Sequence, residues 1–298
     1  KGAMSKRFND YSGHVVVAAT GLVVRIIAKL AASKKTDPAV VTLGQDGRFV
    51  VSLLSGHLGG ANELARLVAT VTGGQAVITT ATDLQDVPAM EVLAYDLGLK
   101  CPDLGPLPLV SRTLSEGGKV EIHDPRGFLR PSLGAWPGLF EYIESPPRGE
   151  SPAVMVTHQA IAAPPNCLVM RPPALAVGLG CHRDCPASEL GEFITGVLER
   201  ESLSFQSVAV LATVDSRALP GLAPLGLARE WRLPLLSYGP DKLSAIQAPN
   251  PSETVLRRIG AASVCEASAT LAARKGPLIV TKQKGPRVTC AVALIDCQ

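Results

Sequence analysis

The sequence predicts an α/β protein: two mostly parallel-sheet α/β domains joined by a small Pro-rich middle domain. Short β-branched runs alternate with helix-like stretches between residues 14 and 98, and the same alternation resumes after residue 174. Twelve of the 24 prolines fall in residues 101–172, where no periodic pattern is sustained. We therefore expect an N-terminal domain over 1–100, a middle domain or linker over 101–172 and a C-terminal domain over 173–298.

The predicted N-terminal domain begins with a strand at 14–19, whose continuous apolar run is typical of burial on both faces. The Thr20-Gly21 pair ends this strand, and a helix follows at 22–30. Strands at 39–43 and 49–54 flank the turn sequence Gln45-Asp46-Gly47. A strand at 76–80 and a helix at 88–99 complete the domain. A helix is also predicted after residue 60, between the strands at 49–54 and 76–80. Its predicted apolar stripe is Leu64, Leu67, Val68 and Val71.

The rest of the chain has fewer strong signals in its middle and clear ones at its end. The best strand candidates of the middle domain are 119–122 and 154–157. The C-terminal domain is predicted to contain strands at 174–178, 207–213 and 233–237, helices at 187–203, 222–231, 254–259 and 264–273, and a closing hairpin of 277–283 with 287–295.

Composition excludes several classes of protein. Hydrophobic residues make up 46% of the chain and charged residues 18%, so the chain buries a core and is not disordered. The net charge of +3 gives no footprint for nucleic acid. The most apolar segment, 14–32, contains Arg25 and Lys29, which argues against a membrane span. Seven scattered cysteines without a Cys-x-x-Cys pair, and five histidines without metal-ligand spacing, predict a cytoplasmic protein without a metal site of its own.

The most informative cluster is Ser55-Gly56-His57-Leu58-Gly59-Gly60-Ala61-Asn62-Glu63, between a strand and a helix. Its glycines let a ligand approach the backbone closely, and it is neither a dinucleotide fingerprint nor a Walker loop. A lone histidine often caps a helix or packs in a core, but a glycine-rich loop favours a functional His57. Asn62 and Glu63 are expected to cap the helix and orient the imidazole.

Three further clusters are candidates for binding an anionic ligand. The Thr20-Gly21 turn with Arg25 presents N–H groups and a positive charge, although a tight turn with a surface arginine is the alternative. Lys34 and Asp37 precede a strand and form a second candidate, for which a solvated turn is the alternative. Gly178 and Gly180 line the turn that opens the C-terminal domain; the adjacent Cys181 lacks partners that would make it a nucleophile.

These motifs resemble the cobalt-precorrin-5A hydrolase family of anaerobic cobalamin biosynthesis. The resemblance rests on residues 19–25, on Lys34 with 37–41, on the Leu54–Asn62 string and on residues 77–83, which include Thr79 and Thr80. Residues 177–293 resemble the C-terminal domain of that family, which also occurs alone as a cobalamin biosynthesis protein. Members usually carry a further strand and helix ahead of the position of Phe8, and often have other residues at Ser216, Leu219 and His182.

The resemblance implies a hydrolase that opens the ring A δ-lactone of a cobalt corrinoid, releases acetaldehyde and leaves cobalt-precorrin-5B. We expect His57 to be the general base, oriented by Glu63, and the N–H groups of Gly59 and Gly60 to stabilise the oxyanion. The substrate would carry the cobalt, so no cofactor of the protein itself is expected. The expected substrate contacts are Thr20, Gly21, Arg25, Lys34, Asp37, Ser55, Gly56, Gly59, Gly60, Asn62, Thr79, Thr80, Gly178 and Gly180.

Two alternatives remain open at this point. In the first, the chain is a corrinoid carrier without catalytic activity that passes the intermediate to a neighbouring methyltransferase of the pathway. In the second, its glycine loops bind a nucleotide and the protein is a transferase, although Gly-Lys-Ser/Thr and a Mg²⁺ carboxylate pair are not evident.

Overall fold

A computed structural model describes residues 4, 6–33, 36–57, 59–79, 87–215 and 223–296. The chain forms two compact units. The first comprises the residues up to Leu97 together with Asp103–Met155 and Pro164–Leu168, and the second comprises Gly98–Pro102, Val156–Ala163 and the residues from Val169 on. The α/β class with mostly parallel sheets is confirmed, and the boundaries near residues 100 and 172 stay a prediction. Within the described residues, no helix combines the length and apolar character needed to cross a membrane.

The first sheet has four strands in the order β1-β2-β3-β4. Its elements are β1 (Gly13–Val17), α1 (Thr20–Ile27), β2 (Ala39–Leu43), β3 (Phe49–Leu54), α2 (Ala61–Thr72), β4 (Gln75–Val77) and α3 (Met90–Asp96). Each was predicted, with boundaries that differ by a few residues. Strand β1 is an outermost strand of this sheet, and its residues Val15 and Val17 are exposed. The prediction that this strand is buried on both faces is therefore wrong.

Strand direction divides this sheet into two halves. Strands β1 and β2 are parallel, β2 and β3 are antiparallel, and β3 and β4 are parallel. The antiparallel pair follows from its short connection, because a few residues can join antiparallel neighbours but not make a crossover. In consequence, the carboxyl end of β3 lies beside the amino end of β2, with Leu54 opposite Val40. These strand ends form one edge of the sheet, and the carboxyl end of β1 lies at the opposite edge.

Helix α2 packs against the sheet through small side chains. Its fully buried apolar residues are Ala61, Ala65 and Ala69, spaced four apart on one face. Leu64 and Val68 flank this contact and are partly buried, but Leu67 and Val71 are exposed, so half of the predicted stripe was wrong. Alanines at this spacing let the helix approach the strands closely, which larger side chains would prevent.

The Pro-rich segment contains a second sheet, in the order β6-β5-β7-β8. Its elements are α4 (Leu107–Ser115), β5 (Val120–His123), α5 (Arg130–Leu133), β6 (Phe140–Tyr142), β7 (Ala153–Val156) and β8 (Cys167–Met170). The predicted strands at 119–122 and 154–157 correspond to β5 and β7. The helices and the other two strands were not predicted from the sequence, because three- and four-residue strands are too short to show a periodic pattern.

The C-terminal sheet has the order β11-β10-β9-β13-β12, with β9, β10 and β11 parallel and the β12–β13 hairpin antiparallel, as predicted. Helix α6 buries its predicted stripe of Leu190, Ile194, Val197 and Leu198 in the core. The elements are β9 (Leu175–Cys181), α6 (Ala187–Arg200), a 3₁₀ helix (Phe205–Ser207), β10 (Val208–Val214), α7 (Ala223–Trp231), β11 (Leu235–Tyr238), α8 (Pro240–Ser244), α9 (Glu253–Ile259), α10 (Cys265–Ala272), β12 (Leu278–Lys284) and β13 (Val288–Leu294).

Candidate active site

The loop between β3 and α2 is held in shape by its own backbone. Ser55 has a left-handed conformation with φ of 58°, and Gly60, the residue before the helix, has φ of 80°. The N–H of Gly60 donates to the carbonyl of His57 over 2.8 Å, and the N–H of Ala61 donates to the carbonyl of Ser55 over 3.0 Å. A non-glycine residue in this conformation costs free energy, of order 1–3 kcal/mol, and such strain is concentrated at functional sites.

Asn62 fixes the loop from beneath. Its side chain is buried, and its Oδ1 accepts a hydrogen bond from the Ser52 hydroxyl over 2.7 Å. Its backbone N–H donates to the carbonyl of Gly56 over 3.0 Å. A Cβ on Gly56 would lie 2.7 Å from Asn62 Oδ1, so only glycine fits between this side chain and His57. The close approach of Asn62 therefore determines where the backbone of His57 runs.

A carboxylate from helix α3 holds the His57 ring. Nδ1 of His57 lies 2.9 Å from Oε1 of Glu91, and the two side chains are only 18% and 13% exposed. Glu91 is in the first turn of α3, where an acidic residue is favoured by the helix dipole. A carboxylate at Nδ1 orients an imidazole and stabilises its protonated form, the arrangement that a histidine general base needs.

His57 lines a cavity of about 300 Å³. Its polar lining includes His57, Asn62, Glu63 and Arg66. Its apolar lining is formed by Val87, Pro88, Ala89, Val92, Leu93 and Trp136. A general base, a guanidinium and an apolar wall in one concave site suit an organic ligand that carries negative groups.

Comparison with known proteins identifies the family. A family model for "Cobalamin synthesis G N-terminal" matches residues 2–83, and one for "Cobalamin synthesis G C-terminus" matches residues 175–293. The chain is 32% identical over 303 residues to the cobalt-precorrin-5A hydrolase of Priestia megaterium, covering 97% of this chain and 80% of that protein. The chain belongs to the cobalt-precorrin-5A hydrolase family.

Other relatives agree with this family. The cobalt-precorrin-5A hydrolase of Salmonella typhimurium is 30% identical over 304 residues, covering 96% of this chain and 83% of that protein. Protein CobE of a Sinorhizobium species is 32% identical over 122 residues, covering 40% of this chain and 79% of that protein. Residues 84–174, between the two family models, contain Glu91 and Trp136.

Two roles expected within the loop of this family member need correction. The carboxylate of Glu63 is 80% exposed and pairs with Arg66 on the same helix, so Glu91 and not Glu63 orients His57. The reason is geometric: the first turn of α2 points Glu63 outward, whereas α3 delivers Glu91 to the ring. The N–H of Gly60 is already donated to His57, so it cannot serve as an oxyanion donor.

The structure brings some of the other expected contacts to the His57 edge of the sheet. The backbone oxygen of Asp37 lies at that edge, 3.3 Å from where a Cβ on Gly59 would be. The Asp37 carboxylate accepts hydrogen bonds from the N–H groups of Ala32 and Ser33, which is a structural role. Thr79 is exposed beyond β4 at the same edge, and the hydroxyl of Ser55 is buried without a hydrogen bond to any described residue. Lys34 and Thr80 lie outside the described residues.

Thr20, Gly21 and Arg25 are not near His57. They follow β1, whose carboxyl end lies at the opposite edge of the sheet because β2 and β3 are antiparallel. All three are exposed; Thr20 and Gly21 begin α1, and Arg25 lies in its last turn. The structure thus places these residues away from His57, and their contact with the substrate stays a prediction.

The two glycines of the second unit have different surroundings. Gly178 is buried, and a Cβ there would overlap the carbonyl oxygen of Cys265 in α10, so its role is to let helix and strand pack together. Gly180 lines a cavity of about 180 Å³ with His182 and Arg287, and Arg287 is paired with Asp184 and Glu189.

The adjacent Cys181 thiol is not activated. Burial raises the pKa of this thiol to about 11, and the neighbouring Cys185 contributes to the shift. A thiol with a raised pKa stays protonated near neutral pH and is a poor nucleophile.

The sequence analysis missed Glu91, the partner of His57, and two side chains of the cavity lining, Arg66 and Trp136. Arg66 had a local signal, because it lies four residues after Asn62 and so on the same face of the helix. Glu91 and Trp136 are distant in sequence and had none. Among the residues that the structure describes, no three His, Cys, Asp or Glu side chains are grouped to hold a metal ion.

Proposed function

We propose that this chain is a hydrolase that opens the ring A δ-lactone of cobalt-precorrin-5A and releases acetaldehyde, giving cobalt-precorrin-5B. The observation that supports it most is that His57 lines a cavity while its Nδ1 contacts the carboxylate of Glu91, in a chain of this family. We further propose that it works in the cytoplasm, beside the methyltransferases of the pathway. The cobalt belongs to the substrate, and the protein needs no cofactor of its own.

His57 acts as the general base in this proposal. Its imidazole takes a proton from a water molecule, and the resulting hydroxide attacks the lactone carbonyl carbon. The ring C–O bond then breaks, which leaves a carboxylate on ring A and frees the oxygen on the methylated bridge carbon. That carbon departs as acetaldehyde, and the electron pair of its bond stays with the macrocycle, which accepts the proton that His57 took from the water. The Glu91 carboxylate stabilises the imidazolium while it holds the proton.

In this proposal Arg66, and not Arg25, binds the carboxylates of the substrate. The substrate has several peripheral carboxylates, and Arg66 places a guanidinium in the same cavity as His57. A guanidinium bound to a carboxylate forms two parallel charge-assisted hydrogen bonds, which give both affinity and orientation. Glu63, on the preceding turn of the helix, forms an ion pair with Arg66.

Acetaldehyde release from cobalt-precorrin-5A tests the proposal. The wild-type protein is expected to release one acetaldehyde per corrinoid, whereas His57→Ala lowers kcat by roughly 10²–10⁴-fold, the usual contribution of a general base. Binding of the corrinoid, followed by its absorbance, is expected to persist in His57→Ala. A wild-type protein that binds the corrinoid but releases no acetaldehyde would instead be a carrier.

A further inference from the structure

The wall of the His57 cavity contains a tryptophan that comes from the middle of the chain. Trp136 lies between α5 and β6, and it lines the cavity together with Val92 and Leu93 of α3. Neither family model covers this residue. The indole is partly buried, so it contributes to a surface that a ligand can reach and does not simply fill a core.

The segment that carries Trp136 is firmly anchored. The backbone N–H of Trp136 donates to the carbonyl of Leu133 over 3.1 Å, and Leu133 is buried. One turn earlier, the N–H of the buried Leu129 donates to the Asp124 carboxylate over 2.7 Å. The backbone that carries the indole is therefore held in place before any ligand arrives, which lowers the entropic cost of binding.

We infer that Trp136 is a substrate-contact residue, whose indole packs against the apolar part of the corrinoid beside the lactone. The inference rests on the proposed function. A corrinoid is a broad ring with apolar faces and negatively charged side chains, and the cavity offers both an apolar wall and the guanidinium of Arg66. A tryptophan supplies a rigid apolar surface of about 150–250 Å² at small conformational cost.

Steady-state kinetics give the first test. Trp136→Ala is expected to raise KM for cobalt-precorrin-5A by about tenfold or more while kcat changes less than about threefold, the pattern of lost uniform binding. Trp136→Phe keeps an aromatic surface and should restore KM to within about threefold of wild type. The matched control is Trp231→Phe in the second unit, whose ring packs edge-to-face on Phe205 at 4.8 Å and should leave KM unchanged.

Fluorescence gives a second test that does not depend on Trp136→Ala folding. The chain contains two tryptophans, so Trp231→Phe leaves Trp136 as the sole indole. In that variant, His57→Ala is added to prevent turnover. The acrylamide quenching constant, determined from fluorescence lifetimes, should then fall at least about twofold at saturating cobalt-precorrin-5A, because the corrinoid covers the indole. In Trp136→Phe, where only Trp231 remains, the constant should not change.

The outcomes separate this inference from the proposed function. Wild-type release of acetaldehyde together with an unchanged KM in Trp136→Ala, or with an unprotected Trp136, would overturn the substrate contact and leave the hydrolase intact. A fall in kcat with no change in KM or in corrinoid binding would also overturn it, because it would indicate a role in supporting the fold around His57. Absence of acetaldehyde release from the wild type would instead refute the hydrolase.

Discussion

Two glycine-containing segments, the loop after β3 in the first unit and strand β9 in the second, were both expected to bind substrate but have different surroundings. In the loop after β3, Gly56 lies at the surface of a cavity, packs against Asn62 and directly precedes His57. In the middle of β9, Gly178 lets α10 approach, and Arg287 near the end of this strand is already paired with two carboxylates. The first arrangement presents polar groups to a ligand, and the second joins a helix to a sheet.

The difference shows that glycines in or after a strand do not by themselves indicate a binding site. What distinguishes the two is the neighbour that occupies the space of the missing Cβ. At Gly178 this neighbour is helix backbone, and at Gly56 it is the amide of a side chain that also fixes the loop. Substitution of each glycine should therefore damage different properties of the protein.

The largest expected effect is loss of folding from Gly178→Ala. Its Cβ would overlap the Cys265 carbonyl and lie 2.7 Å from the backbone N of Ala269, and neither atom belongs to a flexible side chain. We expect the second unit to lose about 4 kcal/mol or more, the range of the severest single substitutions. Urea unfolding monitored through Trp231, in a Trp136→Phe background, measures this loss.

The control for that variant is Gly239→Ala, where a Cβ meets nothing within 4 Å. It should unfold at the same urea concentration as the parent. If Gly178→Ala and Gly239→Ala unfolded at the same urea concentration, α10 would have to pack further from β9 than it does in this structure.

Gly56→Ala should keep the fold and lose activity. Its Cβ would lie 2.7 Å from Asn62 Oδ1, so either the amide or the loop must move, and His57 moves with the loop. A displacement of about 1 Å at a catalytic group costs up to about 10²-fold, and we expect kcat to fall by roughly 10–100-fold. Gly21→Ala, with open space around its Cβ at the opposite sheet edge, should retain wild-type kcat; equal activity of the two variants would break the comparison.

Arg66→Ala is expected to affect binding and Arg25→Ala is not. Removing the cavity guanidinium should raise KM for cobalt-precorrin-5A by about tenfold, since a charge-assisted hydrogen bond contributes roughly 1.5–3 kcal/mol. Arg25 lies at the other edge of the sheet, so Arg25→Ala should leave KM unchanged. A raised KM in Arg25→Ala with an unchanged KM in Arg66→Ala would instead place the carboxylate-binding site at the Thr20-Gly21 turn.

The smallest effect concerns the Cys181 thiol. Because burial raises its pKa to about 11, alkylation by iodoacetamide at pH 8 should be far slower in the folded protein than in urea, where a thiol titrates near its ordinary value of about 8.5. The raised pKa adds stability that is present below about pH 8.5 and is lost as the pH rises toward 11. Mass spectrometry of the alkylated peptide measures both rates; equal rates would mean that the thiol is exposed.

The sequence already contained the signal that separates the two edges of the first sheet. The turn at Gln45-Asp46-Gly47 leaves five residues between β2 and β3, too few for a crossover, so these strands must be antiparallel. Had that consequence been drawn, Arg25 would have been placed away from His57. The strands, the helices and the importance of the His57 loop were recognisable for a related reason, because they depend on local pattern.

The partners of His57 could not be predicted in this way. Glu91 is 34 residues from His57 along the chain, and only the packing of α3 brings its carboxylate to the ring. Trp136 reaches the cavity through a segment whose strands are too short for periodicity to detect. The face of α2 was misjudged because alanines, weakly hydrophobic in any sequence pattern, pack closer to a sheet than leucines.

The most direct test of the account compares Glu91→Gln with Glu63→Gln in single-turnover release of acetaldehyde from cobalt-precorrin-5A. Each substitution removes one charge and keeps the shape of the side chain. If Glu91 orients His57, Glu91→Gln slows release by about 10²-fold or more, and Glu63→Gln stays within about threefold of wild type. A slow Glu63→Gln beside a Glu91→Gln of wild-type rate would contradict the account.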